Sequence, residues 1–227
     1  MNKFRMLMLA LAAVSVSACA GPQTASRNAI GPGATSTSGL AQSSQRALAN
    51  EGRKIFIPDV NIARVTVDVP KELTVSEKNS YYPRGDIVWR GDLFGDRHEQ
   101  VKAIFEQSAQ NAATKLAGSN PVHLHITVTR FHGLSEKARY NTGGVHNMNF
   151  YVTLLDPETG KTLRPAEHVV TNLDALRGTE AIHGDRVGNT QKYRVTSFLT
   201  QVLQEELTKP EGYVDTNTGV FVALNRS

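Results

Sequence analysis

Residues Pro121 to Phe131 read PVHLHITVTRF. Val122, Leu124, Ile126 and Val128 alternate with His123, His125, Thr127 and Thr129, the period-two pattern of a half-buried strand. A strand of this kind must bury one side and can leave the other wet. That points to an antiparallel sheet covered on one face. Other segments repeat the pattern. Ala63, Val65, Val67 and Val69 alternate with Arg64, Thr66 and Asp68, and Pro70 closes the run. Met148, Phe150, Val152 and Leu154 form the inner face of MNFYVTLLD, and DPETGK then signals a turn toward a further strand near His168–Asn172.

Two helices can supply the cover. Asp96-Arg97-His98-Glu99 has the form of a capping box. Val101, Ile104, Phe105, Ala112 and Leu116 follow at helical spacing, so a helix is expected from about His98 to Ala117 with Gly118 as its stop. A second is expected from about Asn189 to Leu207, with Val195, Phe198, Leu199, Val202 and Leu203 on its apolar stripe. The order strand, helix, three strands, helix predicts an α+β fold. It is a two-layer sandwich, a mainly antiparallel sheet of about four or five strands with two amphipathic helices on one face. Tyr213 to Leu224 is expected to add a short hairpin or an ordered tail. Gly95-Asp96-Arg97 precedes the first helix and Gly184-Asp185-Arg186 the second, a near-repeat that turn and helix-start chemistry explains or that marks a duplicated unit.

The N-terminus sets the address. Lys3 and Arg5 precede an apolar run from Met6 to Val16, and small residues follow. This is the layout of a secretory signal peptide. The run is about half the roughly 20 residues a membrane-spanning helix needs. Val16-Ser17-Ala18-Cys19 resembles the lipobox of bacterial lipoproteins. By that resemblance, residues 1–18 are removed and Cys19, the only cysteine, carries acyl chains such as palmitate. One cysteine leaves no partner for an internal disulfide. Ala20, where an aspartate would favour inner-membrane retention, implies the periplasmic face of the outer membrane. Residues 19–50 form a lipidated Cys and a flexible tether rich in Gly, Ser, Thr, Ala, Gln and Asn. Residues 51–227 then form a single periplasmic domain.

Charge narrows the partners. The whole chain carries +4 with a pI near 9.2. Removing residues 1–18 takes Lys3, Arg5 and no acid, which leaves +2. That is no footprint for nucleic acid.

The chemistry-bearing residues are sparse. No Gly-x-Ser-x-Gly, His-Glu-x-x-His, P-loop or Gly-x-Gly-x-x-Gly is present. Asp86, Asp92 and Asp96 each follow or flank glycine and arginine, and turn or helix-start roles fit them better than acid–base work. Arg84-Gly85-Asp86 and Arg90-Gly91-Asp92 spell a triplet of turn chemistry. His123 and His125 share a strand face, a spacing that can hold a metal. His132 and His146 flank the following loop. That loop, between Arg130 and His146, is long and polar, and loops of that length are often functional. Trp89, Arg90, Arg130, His132, Arg139, Tyr140 and His146 are therefore the expected binding residues, gathered as one partner-facing patch.

DIVWRGDLFGDRHEQV, VTRFHGLSEKARYNTGGVHNMNF and LLDPETGK, behind a lipobox and a low-complexity tether, resemble a family of uncharacterised lipoproteins with a domain of unknown function from alpha-class Gram-negative bacteria. The resemblance covers Glu51 to about Lys209, and it implies an address and a fold but no catalytic residues. The expected function is a non-catalytic binding or assembly module of the cell envelope, without a cofactor. Its membrane contact is the lipid anchor, and its partner is an envelope protein or the cell wall. The alternative is a periplasmic metal-binding protein or hydrolase using the histidines.

Overall fold

The computed structural model describes residues 54–217 and residue 219. The expected signal peptide, Cys19, the tether and the C-terminal half of the expected hairpin lie outside the described residues. Strand β1 spans Val60–Asp68, β2 Ile87–Val88, β3 Asn120–His132, β4 Val145–Leu155 and β5 Thr162–Asp174. Helix α1 spans Arg97–Ala113, α2 Glu136–Arg139, α3 Gly178–Arg186 and α4 Gln191–Thr208.

The sheet runs β1-β3-β4-β5, with β2 also paired to β3. β4 lies antiparallel to β3, with Ile126 opposite Val152, and β5 lies antiparallel to β4, with Phe150 opposite Val169. β1 and β2 are parallel to β3 and take successive lengths of the edge that β4 leaves open. The sheet is therefore mixed: β3-β4-β5 pair antiparallel, as a mainly antiparallel sheet requires, and β1 and β2 are the parallel exceptions that alternation did not reveal. Alternation reports which face is buried. It does not report strand direction, and here α1 serves as the crossover that a parallel pair needs.

The alternating residues of β3 and β4 are buried as their period requires: Val122, Leu124, Ile126 and Val128, and Met148, Phe150, Val152 and Leu154. In β1 the register shifts between Ile62 and Arg64. Val60 and Ile62 point inward before the shift, Val65, Val67 and Val69 after it, and Ala63 is exposed. A bulge of one extra residue exchanges the faces, so Ala63 does not belong to the inward row.

α1 begins as its sequence predicts. Asp96 accepts hydrogen bonds from the backbone N–H groups of His98 (2.9 Å) and Glu99 (3.2 Å). Substituting such a cap costs about 1 kcal/mol. α4 is capped by Thr190, which accepts from Tyr193 N. Gly184-Asp185-Arg186 lies inside α3 and caps nothing, so the near-repeat has no structural counterpart. α3 and α2 are additions to the expected elements, and β5 begins earlier than expected, directly after the Asp156–Gly160 turn.

α1 and α4 cover one face of the sheet and approach closely through small side chains. Ser108 Oγ donates to Thr196 O at 3.2 Å, and Thr200 Oγ1 donates to Ser108 O at 3.3 Å. Beneath them Phe105 meets Phe150 edge-on at 5.0 Å and Phe131 at 6.0 Å, and Trp89 meets Phe131 at 5.3 Å. Each such pair adds about 0.5–1.5 kcal/mol beyond the area it buries. From Tyr213 to Asn217 the chain has no regular structure but is held by Glu206, Asn172 and Asp174, as the expected ordered tail would be and not as the first arm of a hairpin.

Candidate functional site

The ends of this domain differ. At one end lie the starts of β1, β3 and β5 and the end of α4, and Lys54 is fixed there by its ion pair with Glu206. At the other lie the ends of β1, β3 and β5, the starts of β4, α1 and α4, and the loops between them. The candidate site belongs to this second end.

Its first wall is the segment from Thr74 to Ile87. Asp86 Oδ2 accepts from Thr74 N (2.9 Å) and Thr74 Oγ1 (2.7 Å), and Ser76 N donates to Ile87 O at 2.9 Å. These bonds close the base of the segment and hold Tyr81, Tyr82 and Pro83 out beyond β2. α2 pins it from the side: Ser135 Oγ donates to Ser80 O at 2.6 Å, and Lys137 N to Asn79 Oδ1 at 2.7 Å. His132, at the end of β3, bonds through Nε2 to Pro83 O at 2.9 Å. A carbonyl only accepts, so Nε2 carries the proton. The Tyr82 and His132 rings lie 5.6 Å apart.

The second wall is the turn into β4. Gly143 and Gly144 both have positive φ, 76° and 152°, where a side chain is strained. A Cβ on Gly144 would also press on Leu134. Gly143 N donates to Ala138 O, and Ala175 N to Gly144 O. Between the walls is a recess of about 220 Å³. Tyr81, Tyr82 and Pro83 line one side, His132, Gly133 and Leu134 the floor, and Thr142 to Val145 the other side. A larger recess of about 570 Å³ lies at the opposite end, against Pro121, Asp156 and Leu163.

The structure brings several of the expected residues to this end but buries most of them. Trp89 is 1% exposed, His132 4%, His146 3% and Arg139 9%. They do not form an exposed patch. Trp89 Nε1 donates to Asp92 Oδ2 at 2.8 Å, and Lys192 Nζ holds the other oxygen of Asp92 at 2.7 Å. Arg90 pairs with Glu77 at 2.6 Å and lies 3.6 Å from Glu136. Arg139 donates to Asp185 at 2.8 Å and to Tyr140 Oη at 3.3 Å. Tyr140 remains 40% exposed, and burial pushes its phenol above the usual range. Arg130 is half-buried beside His132 and Asp86. These residues frame the site, since polar groups buried beside a loop satisfy its backbone and one another.

Two histidines are held neutral. Burial drives His146 down to about 3, and Arg194, Arg139 and His132 push the same way. Burial also lowers His132, against the pull of the Pro83 carbonyl. His123 and His125 sit on the open face of the sheet, where His123 Nε2 meets Thr66 Oγ1 at 2.8 Å. Among the described residues no three His, Cys, Asp or Glu converge as a metal site would require. The histidine cluster of the alternative reading does not form such a group among the described residues.

The aspartates take the turn roles their neighbours suggested. Asp86 clamps Thr74, whose hydrogen bonds hold its carboxyl below the usual range, and Asp96 caps α1.

A match over residues 60–223 decides the family. The chain belongs to a family of unknown function, DUF6778. The recess and both its walls fall within the matched residues. No curated protein matches. Among solved structures, a Xanthomonas campestris protein of the DUF330 family aligns with TM-score 0.36 and 9% identity, covering 65% of this chain and 83% of that one. A protein named as a putative lipoprotein from Caulobacter crescentus aligns with TM-score 0.30 and 12% identity, over 62% of this chain and 86% of that one.

Tyr81, Tyr82, Pro83, Leu134 and Thr142 line the recess of this DUF6778 domain without having been expected to. Two adjacent tyrosines before a proline, in a segment with no strand or helix period, were the available signal. Such residues expose large rings on a stiff backbone. No helix among the described residues is long and apolar enough to cross a membrane.

Proposed function

We propose that this protein is a lipid-anchored lipoprotein of the Gram-negative envelope whose domain is a non-catalytic binding module. Its anchor is Cys19, whose thiol is acylated before residues 1–18 are removed, and its address is the periplasmic face of the outer membrane. The lipobox-like Val16-Ser17-Ala18-Cys19 supports the anchor. One observation supports the binding role above all. The chain enters the domain at Lys54, fixed to the end of α4, while the tyrosine-walled recess lies at the opposite end of the sheet. At that end the recess is clear of the point where the N-terminal segment joins the domain and is open to an envelope protein or to the cell wall.

The test is site-specific photocrosslinking of the full-length chain in its native cells, with the crosslinking amino acid at Tyr82 or at Glu158. A discrete adduct from Tyr82 and none from Glu158 supports the proposal. Adducts from both positions alike, or from neither, overturn it. Among the described residues no three His, Cys, Asp or Glu side chains converge as a metal site would need, and no second function is advanced.

A further inference from the structure

We infer that the recess takes a single uncharged, apolar side chain presented by a segment of a partner protein. This rests on the binding-module proposal and goes beyond it by naming the class of guest.

The first argument is size. A cavity of about 150 Å³ holds one benzene, and pockets for whole small ligands begin at roughly 300 Å³. At about 220 Å³ the recess has room for one ring or one branched side chain. A lipid tail exceeds it.

The second argument is polarity. The frame has already used several of the polar groups around the recess. His132 Nε2 is bonded to Pro83 O, Gly133 N to Val88 O, Gly143 N to Ala138 O and Gly144 O to Ala175 N. Thr142 Oγ1 reaches Gly143 O at 3.3 Å. No lining residue is an acid, a lysine or an arginine, and burial keeps His132 neutral. A carboxylate, phosphate or ammonium entering here would shed its hydration and find no charged group among the residues that line it, a cost of several kcal/mol. What the recess offers is ring face and aliphatic surface.

The third argument separates a protein from a free small molecule. Two further apolar side chains stand exposed at the same end of the domain. Leu93 is 91% exposed and Phe94 84%, on the segment that leads into α1. Glu77 ties that segment to the tyrosine wall through Arg97 (2.8 Å) and Arg90 (2.6 Å). A guest that fills only the recess leaves Leu93 and Phe94 in water. A protein segment with one anchor residue covers both, which is how an interface places a buried anchor inside a rim of weaker contacts.

The experiment uses the full-length chain in nanodiscs and ligand-observed saturation-transfer NMR. The probes are the N-acetyl amides of leucine, phenylalanine, proline, lysine and glutamate, together with N-acetylglucosamine. At least one of the three apolar amides should give a signal that falls several-fold in Thr142→Trp, which fills the mouth, and in Tyr82→Ala, which opens the wall. Both positions are exposed, and melting curves confirm folding; if Thr142→Trp does not fold, Tyr82→Ala decides alone. Signals as strong from the lysine or glutamate amide or from the sugar overturn the inference. So do apolar signals that neither variant alters. Tyr82 adducts in cells without any amide signal sink the guest class and leave the binding module standing. Amide signals without adducts do the reverse.

Discussion

Arg164 donates to Glu206 Oε1 across 3.0 Å, with the two side chains 1% and 0% exposed. The same carboxylate pairs with Lys54 at 2.7 Å and accepts from Tyr213 N at 2.9 Å. Arg164 also reaches the Glu206 carbonyl at 3.2 Å. One buried charge thus ties β5, α4 and the segments on either side of the domain's ordered elements. Breaking a buried pair from one side costs about 3–5 kcal/mol, because the remaining charge loses its partner. Glu206→Gln should lower the urea midpoint by the equivalent of that amount. Arg164→Met combined with Glu206→Leu should recover most of it. A loss under about 1 kcal/mol for the single change would mean that the pair is solvated and the reading wrong.

His146 makes stability depend on pH. Its folded pKa, about 3, lies below the ordinary value near 6.5. The unfolded chain therefore binds a proton that the folded one refuses. Stability is fully present above about pH 6.5 and falls as pH drops toward 3. The groups that enforce this are Arg194, Arg139 and His132, added to burial. Between pH 7 and pH 5 the expected loss from this residue is about 2 kcal/mol. Urea unfolding at both values measures it, and His146→Asn should flatten the slope. An unchanged slope in that variant would assign the effect to His132, which burial shifts in the same direction.

The parts of the fold that burial alone specifies were legible in the sequence. The inward rows of β3 and β4 and the Asp96 cap all rest on local pattern, and the structure keeps them. Strand direction was not legible, because β1 shows the same alternation beside a parallel or an antiparallel neighbour. The bulge after Ile62 was hidden for a related reason, since Ile62, Ala63 and Val65 are all apolar and either register reads as plausible. At the candidate site, polar residue types suggested an exposed patch, and the structure buries most of them. Arg139, His132 and His146 look like surface chemistry in a string of letters. Their burial depends on segments far away in sequence: Pro83, Asp185 and Arg194. The tyrosines that do face outward belong to a segment that no periodicity marks.

Gly118 tests the close approach between the α1–β3 connection and β1. Its N–H donates to Val60 O at 3.1 Å, and a Cβ there would overlap the Asp59 carbonyl. Backbone cannot step aside as a long side chain can. Gly118→Ala should therefore cost about 1–3 kcal/mol, the range for overpacking, even though alanine favours the helix just before it. Thermal unfolding decides. A melting temperature equal to or above that of the parent would show that helix propensity outweighs the contact and that β1 moves freely there.

The anchor is open to a direct chemical test. Each methylene buried in a bilayer contributes about 0.8 kcal/mol, so several acyl chains on Cys19 would hold the protein firmly where one would hold it only marginally. Cys19→Ala removes the thiol that must be acylated before the lipoprotein signal peptidase can cut. The expected result is loss of metabolic labelling by an alkynyl fatty acid, together with a larger apparent mass from the retained residues 1–18. Labelling that survives the substitution would refute the lipobox assignment. Ala20 is tested separately by separating the two membranes. The parent should be recovered with the outer membrane, and Ala20→Asp should move it to the inner one. Parent protein found chiefly in the inner membrane would overturn the sorting while leaving acylation at Cys19 intact, because processing reads the residues up to the cysteine and sorting reads the one after it.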